Sequence, residues 1–401
     1  MVVPAAQVLT VLRECADTGV GAAVVFASGF AETGPVGAAL QREIAELSTQ
    51  TPMRIVGPNC LGTFASPDRV FATFSSAFDD ADTTVVDSPI ALVSQSGAVG
   101  TFTYSTLLGL GAGVRYFPNT GNEADVHACE LLAALAETPD AEILLGYVEG
   151  VKDPAALAEG ARRARRHDKP LVLLKAGRTE AGRRAVSYHT AADAGSYEAF
   201  GDLGAEHGAV VVDGIEPWLD AALAFLPGRR AGGSRLTIVT QSGGAGALAT
   251  DAAIAAGLAV PEWSAGRQAG IADAVPSFGS ARNPIDLTGS LLTDPDLLAG
   301  VLQRVASDEG TDVITVVLGN SDGSAGPMTE AIKAAYGATR KPLSVAWTGG
   351  NGVARRRLRA AGIPVYSDPG RAVRALARVV GHSVFQRPGW GSWGGWGGPD
   401  D

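Results

Sequence analysis

Short apolar runs recur along this chain, each followed by a turn and then by apolar residues at helical spacing. The runs lie at 22–26, 54–56, 90–94, 142–148, 171–174, 236–240, 313–318 and 341–346. Strands of this kind, nearly uniformly apolar and separated by helical stretches, predict an α/β protein whose parallel sheets are covered on both faces. Residues 1–20 and 36–48 read as helices beside the first two strands.

The pattern occurs twice. Ile90-Ala-Leu-Val-Ser-Gln-Ser-Gly is echoed by Leu236-Thr-Ile-Val-Thr-Gln-Ser-Gly, the run at 142–150 by the run at 313–320, and Lys169-Pro-Leu by Lys341-Pro-Leu. Three landmarks in one order predict two copies of a doubly wound, flavodoxin-like domain at 85–228 and 232–385, joined by the Gly- and Arg-rich stretch 227–234. Residues 1–84 predict a partial Rossmann-like domain, because the first strand and glycine-rich first turn of such a unit are missing ahead of residue 22. Residues 386–401, rich in Gly and Trp, read as a disordered or partner-binding tail.

Composition narrows the class. With 46% hydrophobic residues, the 401-residue chain can bury a large core, and its 52 glycines suit many tight strand–helix turns. A net charge of -10 argues against a nucleic-acid or anionic-lipid surface. Cys15, Cys60 and Cys129 are scattered, so neither a disulfide framework nor a zinc site is expected, and no leader or membrane-spanning stretch is evident. A cytoplasmic protein is the expectation.

Candidate chemistry collects at strand ends. Ser94, Gln95, Ser96 and Gly97 form a turn between a strand and a helix, and Gln241, Ser242, Gly243 and Gly244 form its echo. Free amides at such helix starts attract anions, although every doubly wound fold has turns of this kind. The stretch 175–195, K-A-G-R-T-E-A-G-R-R-A-V-S-Y-H-T-A-A-D-A-G, reads as a loop carrying His189, which the second copy lacks. Glu149 closes a strand where the second copy has Asn320. Duplicated domains share what folding needs, so what one copy alone holds is the better candidate for chemistry. His189 is then a candidate nucleophile and Glu149 the carboxylate that orients it. Read singly, each is equally an exposed polar residue. Gly57, Pro58, Asn59 and Cys60 form a tight loop after a strand, and Asn122 sits in another; either could touch a ligand or simply hold a turn. The remaining histidines, His127, His167, His207 and His382, read as structural or surface residues.

These segments together resemble the NDP-forming acyl-CoA synthetases, the superfamily of ADP-forming acetate–CoA ligase and succinyl-CoA synthetase. The marks are G-P-N-C-L-G at 57–62, S-Q-S-G at 94–97, G-N-E-A-D at 121–125, Y-V-E-G at 147–150, K-A-G-R-T-E-A-G at 175–182, S-Y-H-T-A-A-D-A-G at 187–195, T-Q-S-G-G-A-G at 240–246 and N-P-I-D-L at 283–287. The resemblance implies a CoA-binding domain followed by two flavodoxin-like domains. It implies an activity in which acyl-CoA and phosphate exchange through an acyl phosphate, whose phosphoryl group passes to His189 and then to ADP. By the same resemblance Glu149 orients the histidine, the turns at 94–97 and 240–246 hold phosphate, and the loop at 57–62 lies near the thioester end of CoA. ATP or ADP with Mg²⁺ would be handled by an ATP-grasp partner, for which these residues hold no segment, and an oligomer is expected. The chain departs from the family's S-H-T-G pattern with Ala191 after Thr190 and with Asp193 before Ala194-Gly195. Two other readings stay open: transfer from an acyl phosphate to an acceptor such as an amine, and a non-catalytic ligand-binding module.

Overall fold

A computed structural model describes residues 1–78, 86–190 and 194–387, leaving out the side chains of His189 and Thr190. Ala191, Asp193 and the tail from residue 388 onward lie outside the described residues. The chain divides into two compact units, residues 1–219 and 220–401.

The first unit opens with α1 (Ala5–Asp17), β1 (Ala22–Val24), α2 (Pro35–Gln50) and β2 (Arg54–Val56). The two strands pair in parallel, Ala22 opposite Arg54. Val8 and Leu12 of α1 and Ile44 and Leu47 of α2 share a core with Val25, Met53 and Ile55. Burying each such side chain stabilises the fold by about 1.5–3 kcal/mol. Next come β3 (Gly62–Ala65), β4 (Val70–Thr73), β5 (Ile90–Ser94), α3 (Gly97–Gly109), β6 (Tyr116–Pro118), α4 (Ala128–Glu137), β7 (Ile143–Val148), α5 (Pro154–Arg166), β8 (Leu171–Lys175), α6 (Glu180–Thr190), α7 (Tyr197–His207) and β9 (Val210–Val212).

Strands β3 to β9 form one sheet in the order β4-β3-β6-β5-β7-β8-β9. Its parallel part, β6-β5-β7-β8-β9, has the 2-1-3-4-5 order of a flavodoxin-like fold. The β3–β4 hairpin extends that sheet, β3 pairing antiparallel with β6. Phe64 of β3 meets Tyr104 and Phe117 edge-on at 5.3 and 5.8 Å. Residues 62–73, placed by sequence with the N-terminal part, thus build onto the sheet of the following segment.

Helix α8 (Ile215–Phe225) carries the chain to β10 (Leu236–Thr240), α9 (Gly243–Ala255), α10 (Ala265–Ala269), β11 (Ile285–Asp286), α11 (Asp296–Ser307), β12 (Val313–Gly319), α12 (Ala325–Ala338), β13 (Leu343–Thr348), α13 (Val353–Ala360), β14 (Val365–Tyr366) and α14 (Pro369–Phe385). The second sheet runs β11-β10-β12-β13-β14, again 2-1-3-4-5. One face packs on α11 and α12 through Leu298, Val301, Met328 and Ile332. The other packs on α9 and α14 through Ala249, Ala253, Val373, Leu376 and Val380. Among the described residues no helix is long and apolar enough to cross a membrane.

Much of the stretch expected as a loop is helical. Helix α6 covers residues 180–190, with the Thr179 hydroxyl accepting from the Gly182 amide at 3.1 Å. Glu180 and Arg184, one turn apart, pair at 2.7 Å.

Candidate functional site at the carboxyl edge of the first sheet

In both copies the first strand ends, turns through Gln-Ser-Gly and starts a helix, and hydrogen bonds divide the turn into scaffold and free groups. Ser96 caps α3, its hydroxyl accepting from the Val99 amide at 3.4 Å. Ser242 caps α9 likewise, accepting from Ala245 at 3.4 Å. Helix geometry then leaves the amides of Gly97 and Ala98, and those of Gly243 and Gly244, without an acceptor among the described residues. Gly97 is half-buried and Ala98, Gly243 and Gly244 are exposed, so with the positive end of its helix dipole each pair makes an anion-attracting helix start within its own unit.

Three expected phosphate ligands have other work. Ser94 is fully buried, and its hydroxyl donates to the Ser96 carbonyl at 2.6 Å. The Gln95 side chain donates to Glu123 at 2.9 Å and to the Gly150 carbonyl at 2.8 Å, and its oxygen accepts from the amides of Glu149 at 2.5 Å and Gly150 at 3.1 Å. Gln241 donates to the Gly319 carbonyl at 2.6 Å and accepts from Ser321 at 2.9 Å. Both glutamines stitch the first strand to its neighbour; Gln95 uses both of its N–H donors and both acceptor sites there, and Gln241 one of each.

Glu149 follows β7, only 7% exposed. The Tyr147 hydroxyl donates to its Oε1 at 3.3 Å. Burial, then the nearby Glu149 charge, push the Tyr147 phenol up, so that it stays a donor. Lys175, closing β8, is 4% exposed; its ammonium donates to the Glu149 carbonyl at 3.1 Å and the Ala176 carbonyl at 3.0 Å. From Lys175 the chain turns into α6, which ends with His189 and Thr190 and lies against the turn Ala31–Thr33.

Strand registers identify the counterparts of these residues. Ser94 faces Tyr147 as Thr240 faces Val317, so Glu149 corresponds to Gly319, one position before the expected Asn320. Leu144 faces Leu171 as Ile314 faces Leu343, so Lys175 corresponds to Trp347. Aligning the copies by the residue that closes each run shifts the comparison by one.

The 57–62 loop and Asn122 do meet. Asn59 donates to the Asn122 side chain at 3.2 Å, and Asn122 donates to Glu32 at 2.5 Å and Gln41 at 2.9 Å. The two loops are stapled by Asn122 N–H to the Pro58 carbonyl at 2.9 Å. Gly121 (φ +57°) is required there: a Cβ would lie 2.4 Å from the Asn59 and Pro58 carbonyl oxygens. Gly57 and Pro58 are buried, and Asn59 is half-buried. Burial alone would raise the Glu32 carboxyl, but hydrogen bonds from Gly29, Asn122 and Phe30 outweigh it and hold the group below its ordinary range. Cys60 leaves the ligand set. It is 3% exposed, its thiol points at the Val25 carbonyl, and burial pushes its pKa up to about 11.

Sequence reasoning missed Lys175, Glu123 and Asn119. Glu123 is a buried carboxylate held by Thr120, Ala128 and Gln95 at 2.8, 2.8 and 2.9 Å. Fully buried Asn119 bridges the Leu61 amide, 2.5 Å, and the Ser94 carbonyl, 2.7 Å. His127 caps α4, accepting from Glu130, and buried His382 stands edge-on to Phe225 at 5.5 Å.

Residues 87–225 match the succinyl-CoA ligase like flavodoxin domain, and residues 236–305 the ligase-CoA domain. The alpha subunit of ADP-forming acetate–CoA ligase I from Pyrococcus furiosus is 33% identical over 386 residues, covering 94% of this chain and 80% of its own. ADP-forming acetate–CoA ligase I from Archaeoglobus fulgidus is 32% identical over 379 residues, and there the chain spans 53% of the relative's length. Among solved structures, the dinucleotide forming acetyl-coenzyme A synthetase 1 of Ca. Korarchaeum cryptofilum, in complex with phosphate and ADP, superposes with a TM-score of 0.86 at 30% identity. That match covers 96% of this chain and 82% of the other. The chain belongs to the ADP-forming acetate–CoA ligase family and corresponds to its alpha-type part.

Proposed function

We propose that this chain is the acyl-CoA and phosphohistidine component of an ADP-forming acyl-CoA ligase, and that His189 is its phosphoryl carrier. Phosphate attacks the thioester carbonyl of an acyl-CoA and releases CoA thiol, giving an acyl phosphate. An imidazole nitrogen of His189 then takes the phosphoryl group and releases the carboxylate. ADP, held with Mg²⁺ by an ATP-grasp partner, takes the phosphoryl group from His189 and becomes ATP. Splitting one hard transfer into two is what a nucleophilic histidine offers.

Each residue has a physical task in this reading. Glu149 accepts from the imidazole N–H that is not attacking, so the other nitrogen presents its lone pair. The amides of Gly97 and Ala98 stabilise phosphate charge, since phosphoryl transfer asks chiefly for positioning and electrostatic stabilisation, and those of Gly243 and Gly244 offer the same kind of helix start within the second unit. The 57–62 loop, through Asn59 and Asn122 and not through the Cys60 thiol, borders the thioester end of CoA. The substrate is a small carboxylic acid or its CoA thioester. The free thiols Cys15, Cys60 and Cys129 are in keeping with a cytoplasmic enzyme.

One observation carries the reading: two copies of a single fold differ at the strand ends beside the free helix amides, and only the first bears Glu149 and Lys175 there. The test is ATP formation from acyl-CoA, phosphate and ADP by the full chain with an ATP-grasp subunit already shown competent on another ligase. ATP formation that depends on this chain and is lost in His189→Ala is the expected result. No turnover with any short-chain acyl-CoA, or full turnover by His189→Ala, contradicts it.

A further inference from the structure

Lys175 occupies a position where folding alone asks for an apolar side chain. The rest of β8, Leu171 to Leu174, is apolar and buried, and the matching position of the second copy holds Trp347, 1% exposed. A buried ammonium loses its hydration and destabilises a fold unless its partners offset that loss. Here the ammonium spends donors on the Glu149 and Ala176 carbonyls, 6.0 Å from the Phe200 ring centroid. Both backbone polar groups of Glu149 are therefore held by side chains: its N–H by Gln95 and its C=O by Lys175. The glutamine has a counterpart in the second copy; the lysine does not. The Ala176 carbonyl begins the turn that leads into α6, so one cation grips the two chain ends that would carry Glu149 and His189.

We propose that Lys175 is a positioning residue for phosphoryl transfer. By clamping the Glu149 and Ala176 carbonyls it fixes the strand ends on which Glu149 and the His189 helix are mounted. This rests on the proposed roles of Glu149 and His189. A clamp that sets geometry controls rate steeply, since a displacement of about 1 Å at a reacting centre can cost roughly a hundredfold.

The experiment measures the rate at which phosphate reaches His189, together with thermal stability, for the full chain, Lys175→Met and Lys175→Gln, using ATP, Mg²⁺ and a competent ATP-grasp subunit. Lys175→Met fills the strand position but donates to nothing; Lys175→Gln keeps N–H donors without the charge. The expected result is phosphorylation of Lys175→Met slowed at least about tenfold, with its melting temperature unchanged or raised, and partial recovery in Lys175→Gln. If wild type is phosphorylated and Lys175→Met keeps its rate, this inference alone is overturned. A slowing that merely tracks a lower melting temperature, with none left once both are assayed well below it, also overturns it. A wild-type chain that takes no phosphate overturns the functional reading as well.

Discussion

At the end of β7 the first copy places Glu149, where the second places Gly319; at the end of β8 it places Lys175, where the second buries Trp347. Around these differences the copies agree in strand order, in the serine caps of α3 and α9, and in the glutamine that ties the first strand to its neighbour. The shared features satisfy backbone groups at a sheet edge, a need of any copy of the fold. The unshared ones set buried charge where an apolar residue or a glycine serves the fold well. On the proposed function the difference separates scaffold from site, with Gln95 in the first class and Glu149 and Lys175 in the second.

That separation can be broken by mutation. Glu149→Gln leaves Gln95 and Lys175 their backbone partners but weakens the acceptor offered to an imidazole; phosphorylation of His189 should slow by about a hundredfold or more with little change in stability. An unchanged rate in a quench experiment removes Glu149 from the site. Gln95→Ala strips partners from the Glu149 and Gly150 amides and from the Glu123 carboxylate, and should cost roughly 1–3 kcal/mol in denaturant unfolding, with a smaller slowing of phosphorylation. Trp347→Phe, at the position equivalent to Lys175, should cost about 1–2 kcal/mol of stability and leave the phosphorylation rate alone. A rate that falls with Trp347→Phe as it does with Lys175→Met would erase the distinction between the copies.

The smallest effect concerns Glu32, whose carboxyl is held below its ordinary value of 4.5 by hydrogen bonds that outweigh its burial. Its contribution is fully present above the unfolded-state pKa and is lost as the pH falls through the lower, folded-state value. Glu32→Gln should therefore flatten the acid side of the stability–pH curve slightly and leave neutral-pH phosphorylation intact, as followed by thermal melts across acidic pH.

The repeated landmarks carried much of the fold, because a doubly wound domain announces itself through buried strands and short turns, and doing so twice in one order marks a duplication. The β3–β4 hairpin was hidden, since its place on the sheet is decided by pairing with β6, some 50 residues onward in the chain. Helix α6 was hidden too; the flanking Gly177 and Gly195, both at positive φ, mark the stretch as a loop, while the helix between them presents mostly polar positions. Site residues were harder to sort. Ser94, Gln95 and Cys60 sit in turns suited to ligands, and which way they face depends on strands remote in sequence. Lys175 reads as the ordinary polar end of an apolar run until the strand registers set it against a buried tryptophan.

The central claim, that the first copy holds the chemistry, is tested most directly by locating phosphate on the full chain after incubation with ATP, Mg²⁺ and a competent ATP-grasp subunit. Intact mass should rise by one acid-labile phosphate, mapped by fragmentation to His189 and absent from His189→Ala. An unmodified chain, or a phosphate mapped to the second copy, would contradict the account.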